Sequence, residues 1–308
     1  MHVVIYGAGG IGGFLAGKIG PLFSKPGSGV DTLSIVARGE HLQAIQSRGL
    51  TYRDPENNER TVFPSMATDA TKRLSWADII FICVKGYDLE NAVESVSRIV
   101  GTDTLVLPLL NGADIYDRVR EILPKGTVLP GAIYISSSIS APGIVSHTGG
   151  KGLIITGAEP GSAMEQPAVL KDLFDEAGIP CEWHPDPLPA IWGKFVFIAP
   201  FCLVTAVAAK TIGEVCGDPQ LNSDVREMIG ESARVAEAAG VHLPEDIVEQ
   251  TMNKAASFPP DTKTSFQRDI EKRKAQDERD LFGATIMRLG KKLGVETPVT
   301  ESYHTALP

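Results

Sequence analysis

Several common devices are missing from this 308-residue chain. It has four cysteines, Cys83, Cys181, Cys202 and Cys216, and none stands in a C-x-x-C pair. Three lie in apolar runs, so buried thiols in a reducing compartment are expected rather than a disulfide frame. Six histidines are scattered without an H-x-x-x-H or H-E-x-x-H spacing, and no metal site is expected. There is no excess of basic charge. Lys and Arg total 29 against 38 Asp and Glu, a formal net charge of −9. That argues against a nucleic-acid partner, while a local basic pocket for phosphates stays open. No signal-like segment precedes the first apolar run, and the longest apolar stretch, 195–209, is short for a bilayer and contains Pro200. A soluble, cytoplasmic protein without a membrane partner is expected. Internal repeats and low-complexity tracts are also absent.

What is present begins at once. His2-Val3-Val4-Ile5-Tyr6 reads as a strand and runs into Gly7-Ala8-Gly9-Gly10-Ile11-Gly12, with a helix-like stretch from Gly13 to Ile19. This is G-x-G-x-x-G placed between a strand and a helix. Gly7 suits the tight turn, Gly9 lets the backbone approach a pyrophosphate, and Gly12 lets helix and strand pack closely. The helix N-terminus and its N–H groups suit phosphate. A glycine-rich turn without a nucleotide is the competing reading.

The first half alternates strands and helices. Leu33–Val36 follows a loop at 21–31; 42–48 looks helical with Gly49 as a C-cap; 50–64 looks like a polar hairpin. The near-continuous apolar run 78–84 is typical of a parallel strand covered on both faces. A helix at 89–100, a strand at 104–110, a helix at 115–123 and strand-like pieces at 128–136, 144–147, 152–157 and 179–183 complete a βαβ rhythm. It implies an α/β, Rossmann-type doubly wound parallel sheet. Three prolines between Pro185 and Pro189 mark a linker. Beyond them the pattern is helical: a strongly apolar 191–210, an amphipathic 218–239 ending at Gly240, then 245–254 and a long 277–293 ending at Gly294. Two domains follow, 1–185 and an all-helical 186–308.

Candidate chemistry sits at strand ends. Arg38 follows the second strand, where an acidic residue suits the ribose of NAD and an arginine suits the 2′-phosphate of NADP. Glu40 blurs that choice, and a solvated surface arginine is the bland reading. Lys85 ends the 78–84 strand and can reach cofactor phosphate or ribose. Asn111 ends the next strand and, with donors and an acceptor, can bridge nicotinamide and substrate. Either can equally be an ordinary strand-end or turn residue. Lys194 heads the apolar helix, where burying an ammonium is costly without a partner. Lys194, Ile198, Cys202 and Thr205 share one helix face. A half-buried lysine, its pKa brought down from about 10.4, is a natural general acid for a carbonyl oxygen. The alternative is a lysine snorkelling from a helix end. No Tyr-x-x-x-Lys pair occurs, which disfavours short-chain dehydrogenase chemistry.

In order and spacing, GAGGIGG, ARGEHL, VKGYD, LLNGAD, IWGK with Thr205-Ala206, TSFQRDIE and RLGKKLGVETP resemble the ketopantoate reductase (2-dehydropantoate 2-reductase) family over essentially the whole chain. The resemblance implies NADPH as cofactor, a small-molecule 2-oxo acid as substrate, and reduction of 2-dehydropantoate to pantoate in pantothenate biosynthesis. A homodimer through the helical domain is implied as well. By position, Lys194 resembles the catalytic lysine, and Asn111 the asparagine that touches cofactor and substrate. Arg38 resembles the 2′-phosphate contact, Lys85 the lysine near the cofactor, and Ser265 the serine for the substrate carboxylate. The acidic residue near the nicotinamide falls on Asp277, with Glu278 beside it. Where the family carries two asparagines beyond the lysine, this chain has Ile198 and Cys202. Hydrogen bonds to a substrate hydroxyl are lost there. Rival readings are a relative acting on a more apolar 2-oxo acid, a 2-hydroxy acid dehydrogenase, or an NADP(H)-binding sensor without turnover.

Overall fold

The computed structural model describes residues 1–272 and 276–308. Its chain divides into two compact units, Met1–Leu110 with Ile115–Pro187, and Asn111–Asp114 with Leu188–Pro308. A four-residue excursion of the first half therefore belongs to the second unit.

In the first unit, strands β1 (His2–Tyr6), β2 (Thr32–Val36), β3 (Leu50–Arg53), β4 (Glu59–Val62), β5 (Met66–Thr68), β6 (Ala77–Ile82), β7 (Val100–Pro108), β8 (Thr127–Val128), β9 (Gly131–Ala141), β10 (Ile144–Gly157) and β11 (Cys181–His184) are interleaved with helices. The helices are α1 (Gly10–Phe23), α2 (Gly39–Arg48), α3 (Leu89–Val96), α4 (Ile115–Ile122) and α5 (Ala168–Ala177). Six strands form one sheet in the order β5-β2-β1-β6-β7-β8, every pair parallel. Counted among themselves, these strands run 3-2-1-4-5-6, the doubly wound order with its reversal at β1 and β6. Val3–Ile5 and Ile79–Ile82 are fully buried, as strands covered on both faces must be.

The later strands do not extend that sheet, as the βαβ rhythm suggested. The pieces at 144–147 and 152–157 are one strand, β10, in a second, mixed sheet of order β11-β10-β3-β4, with β9 also pairing β10. Register shifts around Gly149 interrupt its ladder with β9, so its apolar pattern breaks and the sequence reads as two short strands. This sheet packs on α1. A Cβ placed at Gly13, Gly17 or Gly20 would lie 2.4, 2.3 and 2.4 Å from Val145, Tyr52 and Val62 side chains, so a stripe of bare backbone at helical spacing admits the sheet. The helix also runs further than its sequence suggests and contains Pro21. Proline leaves the Gly17 carbonyl without its helical donor, and Arg60 Nη1 donates to it at 3.3 Å.

The second unit is helical: α6 (Leu188–Ala208), α7 (Ile212–Gly217), α8 (Pro219–Ala238), α9 (Ile247–Ala256), α10 (Ser265–Glu271), α11 (Thr285–Leu293) and α12 (Pro298–Thr305). Fourteen of the 21 residues of α6 are buried, which makes it the core helix of this unit, although by length and composition alone it would suit a membrane. Thr211 and Glu214 form a capping box on α7, and Asp218 caps α8 by accepting from Gln220 and Leu221 N–H. The stretch read as one long helix from 277 starts instead with a π-turn at Asp280–Ala284 and becomes regular only at Thr285. Such turns put an extra residue into a helix and recur at functional sites. All four cysteines are free thiols, and no cluster of metal-ligating side chains occurs among the described residues.

Candidate active site

The glycine loop is held from behind and open in front. Gly7 takes a φ of +97°, and a Cβ there would meet the Cys83 carbonyl oxygen at 2.7 Å. A Cβ on Gly12 would lie 1.8 Å from Gly7 O, so only glycine lets α1 start this close to β1. Gly10 is bare for a reason the sequence did not show: Ser137 of β9 crosses it, and a Cβ would lie 2.1 Å from Ser137 O. At Gly9 the situation reverses, because nothing stands within 4 Å of a Cβ there. Gly9 is the N-cap of α1, no side chain caps that helix, and its first turn carries no acidic residue. An uncapped helix end with open space at its first glycine fits a pyrophosphate. Ala8 and Ile11 complete the loop; the Ala8 carbonyl bonds His41 Nε2 at 2.8 Å. His41 Nδ1 accepts from Gly143 N–H at 2.9 Å, so Nε2 carries the proton donated to Ala8. Burial lowers the pKa of this imidazole, against the bond to Ala8, which favours the charged form.

Arg38 follows β2 as the N-cap residue of α2. Its guanidinium forks onto Asp88, with Nη2–Oδ2 at 2.6 Å and Nη1–Oδ1 at 3.2 Å. Asp88 comes from the turn after β6, so the structure adds an acidic partner that spacing alone did not reveal. Lys85, partly buried, opens that same turn, and its carbonyl accepts from Asp88 N–H at 2.9 Å.

In the second unit the fold joins two residues separated by 83 positions. Lys194 Nζ donates to Asn111 Oδ1 at 3.0 Å. Lys194 is only 8% exposed, on the core side of α6. Burial, with the positive charge of Lys254 acting in the same direction, lowers its pKa to about 8. Ile198, one turn on, is partly exposed; Cys202, two turns on, is packed into the core at 2% exposure. Neither brings a donor comparable to an amide.

The segment 111–114 is anchored at its far end. Asp114, 5% exposed, accepts from Arg288 Nη2 at 2.6 Å and lies 3.4 Å from Thr285 Oγ1. Arg288 also reaches Asp280 at 3.4 Å, in the π-turn. One guanidinium thus ties the segment carrying Asn111 to the turn that follows Asp277 and Glu278. Asp277 is held by Arg279, Nη2–Oδ2 at 2.8 Å and Nε–Oδ1 at 3.0 Å. Burial raises its pKa, but these hydrogen bonds outweigh that and leave the carboxyl below its usual range. Glu278 is buried. Ser265 is exposed, as the first residue of α10.

A 3-2-1-4-5-6 parallel sheet, an open glycine loop at its switch point and a helical unit with a buried lysine–asparagine pair define a two-unit, nicotinamide-dependent oxidoreductase. Residues 3–161 match the family described as ketopantoate reductase PanE/ApbA, and residues 186–307 match its C-terminal counterpart. The chain belongs to the ketopantoate reductase family, whose members are oxidoreductases acting on CH–OH groups. It is 27% identical over 322 residues to a 2-dehydropantoate 2-reductase of Mesorhizobium japonicum, covering 98% of this chain and 95% of that protein. A solved PanE/ApbA family ketopantoate reductase from Ralstonia eutropha JMP134 is similar at a TM-score of 0.88 and 26% identity, covering 100% of this chain and 97% of that one. The fold is also that of a D-mandelate dehydrogenase solved with NADH and anilino(oxo)acetate, at a TM-score of 0.86 and 21% identity, covering 100% and 97%.

Proposed function

We propose that the protein uses NADPH to reduce a 2-oxo acid to the 2-hydroxy acid, with 2-dehydropantoate to pantoate as the leading reaction. The observation that carries this reading is the buried Lys194 ammonium, bonded at 3.0 Å to Asn111 and lowered to about 8. A lysine poised there gives up a proton near neutral pH far more readily than a free one. NADPH, when bound, supplies the hydride to the carbonyl carbon. Lys194 Nζ gives its proton to the carbonyl oxygen and is left as the amine. Asn111 Oδ1 fixes the ammonium, and its Nδ2 remains as a donor for the carbonyl or the nicotinamide amide. The backbone of Gly7, Ala8, Gly9, Gly10, Ile11 and Gly12 holds the pyrophosphate, with Lys85 near the ribose or phosphate and Arg38 on the 2′-phosphate. Arg38 exchanges Asp88 for that phosphate, so its contribution to NADPH preference is reduced by the bond it gives up. Asp277 or Glu278 orients Lys194 or the ribose, and Ser265 binds the substrate carboxylate. A homodimer through the helical unit belongs to the same reading.

A second reading rests on Ile198 and Cys202. Without hydrogen-bonding groups there, a hydroxylated substrate gains little over an apolar one. NADPH oxidation, followed by absorbance with 2-dehydropantoate beside a panel of apolar 2-oxo acids, separates the two. Rapid turnover of 2-dehydropantoate supports the leading reaction. Turnover of the other acids alone keeps the chemistry and discards that substrate. No turnover with any 2-oxo acid overturns both.

A further inference from the structure

Lys254 stands on α9, yet its ammonium lies over α6. Nζ is 5.1 Å from the centroid of the Phe197 ring. Phe197 follows Lys194 by three residues, so the two side chains are neighbours on one helix face. Phe258, just past the end of α9, stacks on the same ring with centroids 5.5 Å apart and planes 15° apart. Phe258 is 37% exposed, and Lys254 is itself exposed. The charge of Lys254 is felt at Lys194. Two cations on one apolar face repel each other, and an anion arriving beside them reverses the sign of that interaction.

A 2-oxo acid carries its carboxylate on the carbon bonded to the carbonyl. A substrate whose carbonyl oxygen meets Lys194 therefore brings an anion within a few bond lengths of that lysine. We propose that Lys254 receives the carboxylate of the 2-oxo acid, with Phe258 as the apolar wall beside it and Phe197 as the surface that positions the ammonium. This rests on the reading of the protein as a 2-oxo acid reductase and adds a specificity-determining residue to it. Ser265 supplies a hydroxyl for the same group but no charge. Lys254 adds a second positive charge to that of Lys194 and so sharpens selection of an acid over its neutral ester or amide.

The test compares kcat/KM for a 2-oxo acid and for its methyl ester in the wild type, Lys254→Gln and Lys254→Arg. A charge-assisted hydrogen bond corresponds to roughly 10–100-fold. Lys254→Gln should lose about that factor on the acid, chiefly through KM, and change the ester by less than about threefold; Lys254→Arg should recover most of the loss. Oxalate, a dead-end anion, should inhibit Lys254→Gln more weakly than wild type by a similar factor. Equal losses on acid and ester, or no loss on either, overturn the proposal. A folding defect in Lys254→Gln would appear as lost NADPH binding by fluorescence, and Lys254→Met then takes its place in the same comparison. Wild type active on 2-oxo acids with charge-blind variants sinks Lys254 alone, whereas wild type inactive on every 2-oxo acid sinks the functional reading beneath it.

Discussion

The glycine loop of the first unit and the Lys194–Asn111 pair of the second are built in opposite ways. The loop is six consecutive residues that offer backbone groups rather than side chains. Its shape follows from one strand ending and one helix beginning, and the missing side chains leave Gly9 open. The pair draws two side chains from positions 83 residues apart, one on a strand-end segment and one on a core helix. Its useful property, an ammonium lowered to about 8, arises from burial and a neighbouring charge. A site of backbone groups binds and is insensitive to pH. A site of buried side chains can be tuned to do acid–base work, and tuning requires a core around it.

Replacing Lys194 with Ala is the strongest way to break this contrast. If chemistry resides in the second unit and binding in the first, kcat should fall by about 10²–10⁴-fold. NADPH affinity, read by fluorescence quenching, should stay within about threefold of wild type. A parallel loss of affinity would show that the two regions are not separable. Within the loop, two glycines should differ. Gly12→Ala drives a Cβ to 1.8 Å from a backbone oxygen and should cost on the order of 3 kcal/mol of stability in a denaturant titration. Gly9→Ala meets nothing in the protein and should leave stability almost unchanged while weakening NADPH. Equal melting behaviour of the two variants would contradict the geometry.

The pH profile sharpens the same comparison. If Lys194 is the proton donor, turnover should hold below about pH 8 and fall roughly tenfold per unit above it, while NADPH binding stays flat across that range. The sign for stability is opposite to that of a salt-bridged lysine. The folded pKa lies below the ordinary value of 10.5, so burial of the charge costs stability below about pH 8, and that cost fades between about 8 and 10.5. Lys194→Ala should abolish this gain at high pH. The smallest effect concerns cofactor choice. Arg38→Ala should weaken NADPH about tenfold and NADH little, and Asp88→Asn, which frees the guanidinium, should shift preference towards NADPH by a few-fold. An unchanged NADPH/NADH ratio in both variants would remove Arg38 from the site.

Local patterns carried much of this protein. A strand, a glycine loop and a helix follow one another directly in the sequence, so the geometry of the loop was legible from neighbours along the chain. Apolar runs identify parallel strands because those strands are buried on both faces, and Gly240 and Gly294 mark helix ends because glycine readily takes the positive φ that closes a helix there. Lys194 stood out because a cation in an apolar run demands a reason. The sheet that claims β10 was not legible, since pairing is decided by which strands meet in space. Nor were Asp88 on Arg38, Asp114 on Arg288, or Lys254 over Phe197, all of them contacts between distant positions that leave no periodic trace. By itself, then, the sequence determined the glycine loop between strand and helix, the alternation of elements and the residue types available for chemistry, because those depend on neighbours along the chain. Only the tertiary structure decided which charges face one another and how far burial moves them, because electrostatic energies depend on distance and on exclusion of water, and both are properties of the packed fold.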